Sequence, residues 1–222
     1  MSRFDEAPRD YNEVLSENLR FIPGGVDYYT EYRAHLARRS TPHHVTSILD
    51  FGCGVGNSLP HLRRVFPDAS ITACDASQPS VEIAKRHHPF VRFVSEADLT
   101  PAAFDLVFVA GVIHHVDPAD RDRVMRVLRR ALAPRGTMTI FELNPLNPVT
   151  RRLVSTCVYD DDASLITRTA LECLIGETEG LTVTHSAFTV FVPPALARLR
   201  SLERYLRWCP MGAQYFVTAR HG

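Results

Sequence analysis

Short apolar runs bounded by turn residues alternate along this chain with longer stretches of helical period. The runs at 47–51, 70–74, 90–94, 104–110 and 136–143 are nearly continuous in apolar residues, the pattern of strands covered on both faces. Between them, 57–66, 78–88 and 118–133 space their apolar residues as helices do. Phe66-Pro67-Asp68 and Ala133-Pro134-Arg135-Gly136 punctuate the pattern as turns. Alternation of this kind predicts an α/β fold, a parallel sheet with helices on both faces and right-handed crossovers. Ahead of it, residues 10–39 read as two helical pieces broken at Pro23-Gly24-Gly25, the second running from an Asp27 N-cap to Arg39. The last third predicts a helix from Leu165 to Glu177 and a strand over 181–192. An amphipathic Arg- and Leu-rich piece over 194–208 and a final strand from Gln214 to Ala219 follow.

The most informative stretch is Ile48-Leu49-Asp50-Phe51-Gly52-Cys53-Gly54-Val55-Gly56-Asn57. It joins a buried strand to a helix through three glycines, whose backbone can turn sharply and let a ligand lie against it. Asp75 closes the next apolar run, where a carboxylate can accept hydrogen bonds from a ribose diol. A dinucleotide fingerprint reads G-x-G-x-x-G, whereas these glycines run G-x-G-x-G and follow an acid, Asp50. A carboxylate there repels a pyrophosphate and suits a ligand bearing positive charge, such as an amino-acid ammonium group. A nicotinamide oxidoreductase is therefore disfavoured.

The stretch D-F-G-C-G-V-G-N resembles motif I of the class I S-adenosylmethionine-dependent methyltransferases, and Asp75 falls at that family's ribose-binding acid. Further features follow in order. Asp98 and Leu99 stand where the family contacts adenine, Phe104-Asp105-Leu106-Val107 resembles its F-D-L-V strand, and His114-His115 resembles a pair found in enzymes like those of ubiquinone and menaquinone biosynthesis. Glu142-Leu143-Asn144-Pro145-Leu146-Asn147-Pro148, with Thr150 and Arg151, and Pro210-Met211-Gly212-Ala213-Gln214-Tyr215 resemble segments of one subgroup, in which His stands in place of Leu143. The resemblance implies a Rossmann-like doubly wound sheet of seven strands, the last antiparallel, and S-adenosyl-L-methionine as cofactor. Cofactor contacts then fall on Asp50, Gly52, Gly54, Gly56, Asn57, Asp75, Ala76, Asp98, Leu99 and Ala110. Acceptor contacts fall on Tyr28, Glu142, Asn144 and Arg151, and His114 and His115 are the candidates for a general base, His114 foremost.

Composition narrows the partners. The chain has 222 residues, enough for one domain at roughly 100–200 residues each. It divides into an N-terminal helical cap (1–45), a cofactor-binding core (46–145) and a substrate-side segment with the terminal hairpin (146–222). Lys plus Arg and Asp plus Glu both number 25, which leaves no electrostatic footprint for nucleic acid. Lys85 is the sole lysine, a bias with no evident functional reason. No apolar run reaches the roughly 18 residues of a membrane span, and the polar amino terminus lacks a signal peptide's apolar segment. Five cysteines without a C-x-x-C pair suit free thiols in a reducing cytoplasm. Cys53 and Cys74 read as small buried hydrophobes, and the pairs His43-His44 and His87-His88 as solvated loop residues, so no metal site is expected. The expected partner is a small-molecule acceptor, met by a monomer or homodimer. A non-catalytic cofactor-binding regulator or scaffold is the alternative.

Overall fold

A computed structural model describes residues 25–157, 163–192 and 194–222; the first predicted helical piece and Tyr11 lie outside them. Helix α1 (Gly25–Ser40) precedes β1 (Ser47–Phe51), α2 (Leu59–Val65), β2 (Ser70–Cys74), α3 (Gln78–His87), β3 (Arg92–Phe93) and β4 (Phe104–Ala110). Then come α4 (Arg121–Ala131), β5 (Leu132–Leu143), α5 (Pro148–Val154), α6 (Arg168–Glu177), β6 (Leu181–Thr189), a 3-10 helix (Pro194–Tyr205) and β7 (Gln214–His221). The seven strands form one sheet in the order β3-β2-β1-β4-β5-β7-β6. β1 to β5 pair in parallel, and β7 inserts antiparallel between β5 and β6. Strand order reverses between β1 and β4, the place where open α/β sheets bind ligands beyond their carboxyl ends.

Alternation along the strands builds two cores. On β4, Val107 and Val109 join Val124, Met125 and Leu128 of α4 on one face. Leu106 and Phe108 join Leu36 of α1 and Leu59 and Leu62 of α2 on the other. Side chains that point alternately to opposite faces and are apolar on both produce the near-continuous runs seen in the sequence.

Several boundaries differ from expectation. Strand 90–94 contracts to Arg92–Phe93, because the Val91 N–H turns back to the His88 carbonyl and β3 is an edge strand paired only to β2. The helix expected to reach residue 133 stops at Ala131, since Pro134 disfavours helical geometry at Ala133, and β5 begins at Leu132 opposite Phe104. α1 starts at Gly25, so Asp27 lies in its first turn rather than at its N-cap, and its carboxylate meets Nε2 of His61 at 3.1 Å. α5 forms where no helix was expected. Asn147 caps it by accepting from the N–H groups of Val149 and Thr150, with Pro148 in its first turn. β6 ends at Thr189 because Val190 takes a left-handed φ of 62° and turns the chain away.

Candidate functional site

The glycine loop leaves β1 at its carboxyl end and is held by β2. The N–H groups of Gly52 and Cys53 both donate to the Cys74 carbonyl, at 2.8 and 3.1 Å. Gly52 has φ 74°, and a Cβ there would stand 2.4 Å from the Val112 side chain, so only glycine lets the loop lie against the turn after β4. Gly54, at φ 53°, donates its N–H to Asp75 Oδ2 at 2.7 Å, and a Cβ on it would meet nothing within 4 Å. The loop is thus pinned below and open above. Gly56 is flanked by the His88 ring. His88 is therefore half-buried rather than a solvated loop residue, and burial lowers its pKa. His87 ends α3 and is exposed.

Asp75 is set by the same turn. Its Oδ1 accepts from the N–H of Ser77 at 2.8 Å, so each carboxylate oxygen takes one backbone donor. Ala76 beside it is exposed, and Asn57 at the end of the glycine loop is half-buried.

Asp50 sits beneath the loop, 2% exposed, and its Oδ2 has no hydrogen-bond partner. Burial, and then the charge of Asp75, pushes its pKa up to about 7. A nearby cation would reverse that shift.

Asp98 and Leu99 lie at the 3-10 turn Glu96–Asp98 that follows β3. Asp98 is exposed and accepts from the Ser95 hydroxyl at 2.6 Å. Both border a small cleft with Thr72, Arg92, Val94 and Phe104. Ala110 ends β4, half-buried, one residue before the turn that carries the histidines.

That turn is built on Glu142, at the end of neighbouring β5. Glu142 Oε1 accepts from the N–H groups of Val112 (3.1 Å) and Ile113 (2.7 Å), and Oε2 lies 2.5 Å from His114 Nδ1. Both side chains are almost wholly enclosed. Burial would raise the Glu142 pKa, but the facing His114, its hydrogen bond and the Ile113 N–H together hold it below the usual carboxylate range. An ionised Glu142 holds a proton on His114 Nδ1. His115 is half-buried, its ring centroid 4.1 Å from that of His114. The Ser164 N–H donates to the His114 carbonyl, and Arg121 fastens the surrounding segments through the Val116 and Ser164 carbonyls.

Of the residues expected at the acceptor, Glu142 and Asn144 have their polar atoms engaged within the chain. Glu142 holds the histidine turn. Asn144 donates through Nδ2 to the carbonyls of Pro210 (2.8 Å) and Gly212 (2.7 Å) and accepts from the Leu146 N–H. Asn147 donates to the Met211 carbonyl and Thr150 to that of Ala213, so the two Asn-Pro steps clamp segment 210–213. Tyr28 is likewise committed: its hydroxyl donates to the Val192 carbonyl and accepts from Arg200 Nε. Arg151 is exposed on α5. Sequence reasoning missed Glu203. It is 2% exposed, and its oxygens accept from the Tyr32 hydroxyl and from the N–H groups of Val190, Phe191 and Val192. The available signal was a single acid amid arginines.

Residues 49–138 match the family model described as a methyltransferase domain. The chain is 31% identical over 151 residues to the demethylmenaquinone methyltransferase of Thermotoga maritima, covering 66% of this chain and 62% of that protein. It is 30% identical over 125 residues to the trans-aconitate 2-methyltransferase of Yersinia pestis, covering 51% and 47%. It thus spans less than two thirds of these curated relatives. The crystal structure of an S-adenosylmethionine-dependent methyltransferase from Mesorhizobium loti superposes with a TM-score of 0.61 at 20% identity, covering 89% of this chain and all of the other.

Proposed function

We propose that this chain is a class I S-adenosylmethionine-dependent methyltransferase that moves a methyl group to a small-molecule acceptor by in-line displacement. The cofactor of this family is S-adenosylmethionine, and the residues present fit it. The observation that carries the reading is the open glycine loop between two acids: Gly54 faces free space, Asp75 holds the Gly54 N–H from the end of β2, and Asp50 has a buried oxygen without a partner. Asp75 would hold the ribose diol, Asp98 and Leu99 the adenine, and Asp50 with Gly52, Gly54 and Gly56 the amino-acid end. Asn57, Ala76 and Ala110 would close the sides. When bound, the cofactor supplies a methyl group already activated by its sulfonium.

The chain's own task is then alignment and, for a protonated acceptor, proton removal. Well-oriented reactants gain effective molarities of about 10⁵–10⁸ M. His114 Nε2 is the base in this reading, with Glu142 fixing the tautomer through Nδ1. His115 packs beside it and shapes the pocket wall. Acceptor contacts are assigned to Arg151 and to the surface framed by Tyr28 and the 143–151 turn. Glu142 and Asn144 act on the acceptor only through the backbone they hold.

The alternative, a cofactor-binding protein that transfers nothing, gains from the same burial: Glu142 and Asn144 have structural work to do without any acceptor. Two measurements decide. Calorimetry should give micromolar S-adenosylmethionine affinity, about −8 kcal/mol, and much weaker NAD binding. Equal or tighter NAD binding overturns the cofactor reading. Methyl transfer to demethylmenaquinone, trans-aconitate and a panel of small phenols, amines and carboxylic acids should yield at least one product. Tight cofactor binding with no transfer to any acceptor would favour the binding protein.

A further inference from the structure

Between β6 and β7, the 3-10 helix Pro194–Tyr205 carries three rows of different chemistry. Such a helix has three residues per turn, so side chains three apart line up along it. The inward row is Arg200 and Glu203. Arg200 lies over the rings of Tyr28 and Tyr32 at 3.9 and 4.6 Å, and Glu203 accepts from Tyr32 and three backbone N–H groups. This row fixes which way the helix faces. The second row is Leu199, Leu202 and Tyr205, with Leu196 at the kink before it, and each is between 46% and 61% exposed. The third is Arg198, Ser201 and Arg204, all exposed. Trp208 follows, 77% exposed, with its ring nitrogen donating to the Tyr205 carbonyl.

Charge separates this face from an ordinary apolar patch. Glu203 is the only acid between residues 194 and 213, and it points inward, so every outward charge there is an arginine. Met211, Leu146 and Val149 are exposed apolar residues as well. An apolar row beside a basic row, ending in an exposed tryptophan, is the arrangement of segments that lie in a lipid interface. Contact with a second copy through this face is disfavoured, because a two-fold interface sets the same patch against itself and brings the arginine rows together.

We propose that this face docks on an anionic membrane surface, with Leu199, Leu202 and Trp208 in the boundary below the headgroups and Arg198 and Arg204 on the lipid phosphates. The helix leads into β7, whose first residue, Gln214, pairs with Leu143 at the end of β5. The docked face therefore belongs to the same edge of the sheet as the glycine loop and His114, and docking does not depend on the methyl-transfer reading.

The test uses the full chain and vesicles of phosphatidylcholine, with or without about one third phosphatidylglycerol. Trp208 is the only tryptophan, so its emission reports the contact directly. Vesicles containing phosphatidylglycerol should bind the protein and shift that emission to the blue, pure phosphatidylcholine should bind far less, and salt should release the protein. Replacing Arg198→Gln with Arg204→Gln should weaken partitioning about 30-fold, at about 1 kcal/mol per arginine. Leu199→Ser with Leu202→Ser should abolish the blue shift, and both pairs should keep the wild-type circular dichroism and cofactor affinity. The proposal is overturned by a wild-type protein that ignores anionic vesicles or binds neutral ones equally, or by binding that survives in both variants. A dimer in lipid-free solution that these variants dissolve would also overturn it, by giving the row to a second copy.

Discussion

Nδ1 of His114 stands 2.5 Å from Oε2 of Glu142, while the other oxygen of that carboxylate takes the N–H groups of Val112 and Ile113. One side chain at the end of β5 thus shapes the turn after β4 and engages Nδ1 of the histidine on it. His114→Ala should lower methyl transfer by about 10²–10⁴ and leave cofactor affinity nearly unchanged. Glu142→Gln should act similarly, because an amide donor facing Nδ1 moves the ring proton to Nε2 and removes the base. His115→Ala should act mainly through packing. Full activity in both His114→Ala and Glu142→Gln would leave alignment alone as the source of rate.

The same carboxylate should mark acid stability. The Glu142 pKa is lowered in the folded state, so its contribution is present above the ordinary carboxylate value of 4.5 and is lost as pH falls through the folded value. Thermal melts between pH 7 and 3 should show a shallower acid limb for Glu142→Gln than for wild type.

Asp50 has the opposite sign. Its folded pKa lies at about 7 against an ordinary 3.8, so the folded state keeps a proton that the unfolded chain has lost. Stability without cofactor should decline as pH rises through that window and stay lower above it. Asp50→Asn should melt higher than wild type at pH 8 and lack the decline. A cationic cofactor favours the carboxylate, so wild-type affinity should rise from pH 6 to 8 with proton release, seen as buffer-dependent calorimetric heats. The Asn variant should show neither effect.

Asp75 ties the glycine loop to the end of β2 and is the acid assigned to the ribose diol. Asp75→Ala removes the acceptor for Gly54 and Ser77 as well as the one assigned to the diol. At roughly 1.5–3 kcal/mol for each bond to a charged group, affinity should fall at least tenfold. A folded variant with unchanged affinity would refute the assignment.

Asn147 should matter for stability rather than binding. It caps α5 and holds the Met211 carbonyl, so Asn147→Ala should cost about 1–3 kcal/mol in denaturant unfolding. An unchanged midpoint would contradict the clamp.

β1, β2 and β4 begin and end where the hydrophobic pattern places them, and the glycine loop and Asp75 follow directly from spacing. These features are local: a strand buried on both faces must be apolar throughout, and a tight turn without Cβ atoms must be glycine. The helix α5 was not among the expected elements, although its Asn cap and following Pro are signals of a helix start. Other features have no local signature. β7 lies between β5 and β6 only because the sheet closes that way. Glu142 and Asn144 read as acceptor contacts because a polar residue at a strand end looks the same whether it faces a ligand or the chain. Their partners lie 28 and 66 to 68 residues away, and Glu203 meets Tyr32 across 171. The sequence by itself determined the alternating elements, the loop and its flanking acids. Which polar groups were left open to a ligand was decided by the tertiary structure, because a buried donor or acceptor takes whatever partner the packed chain brings within reach.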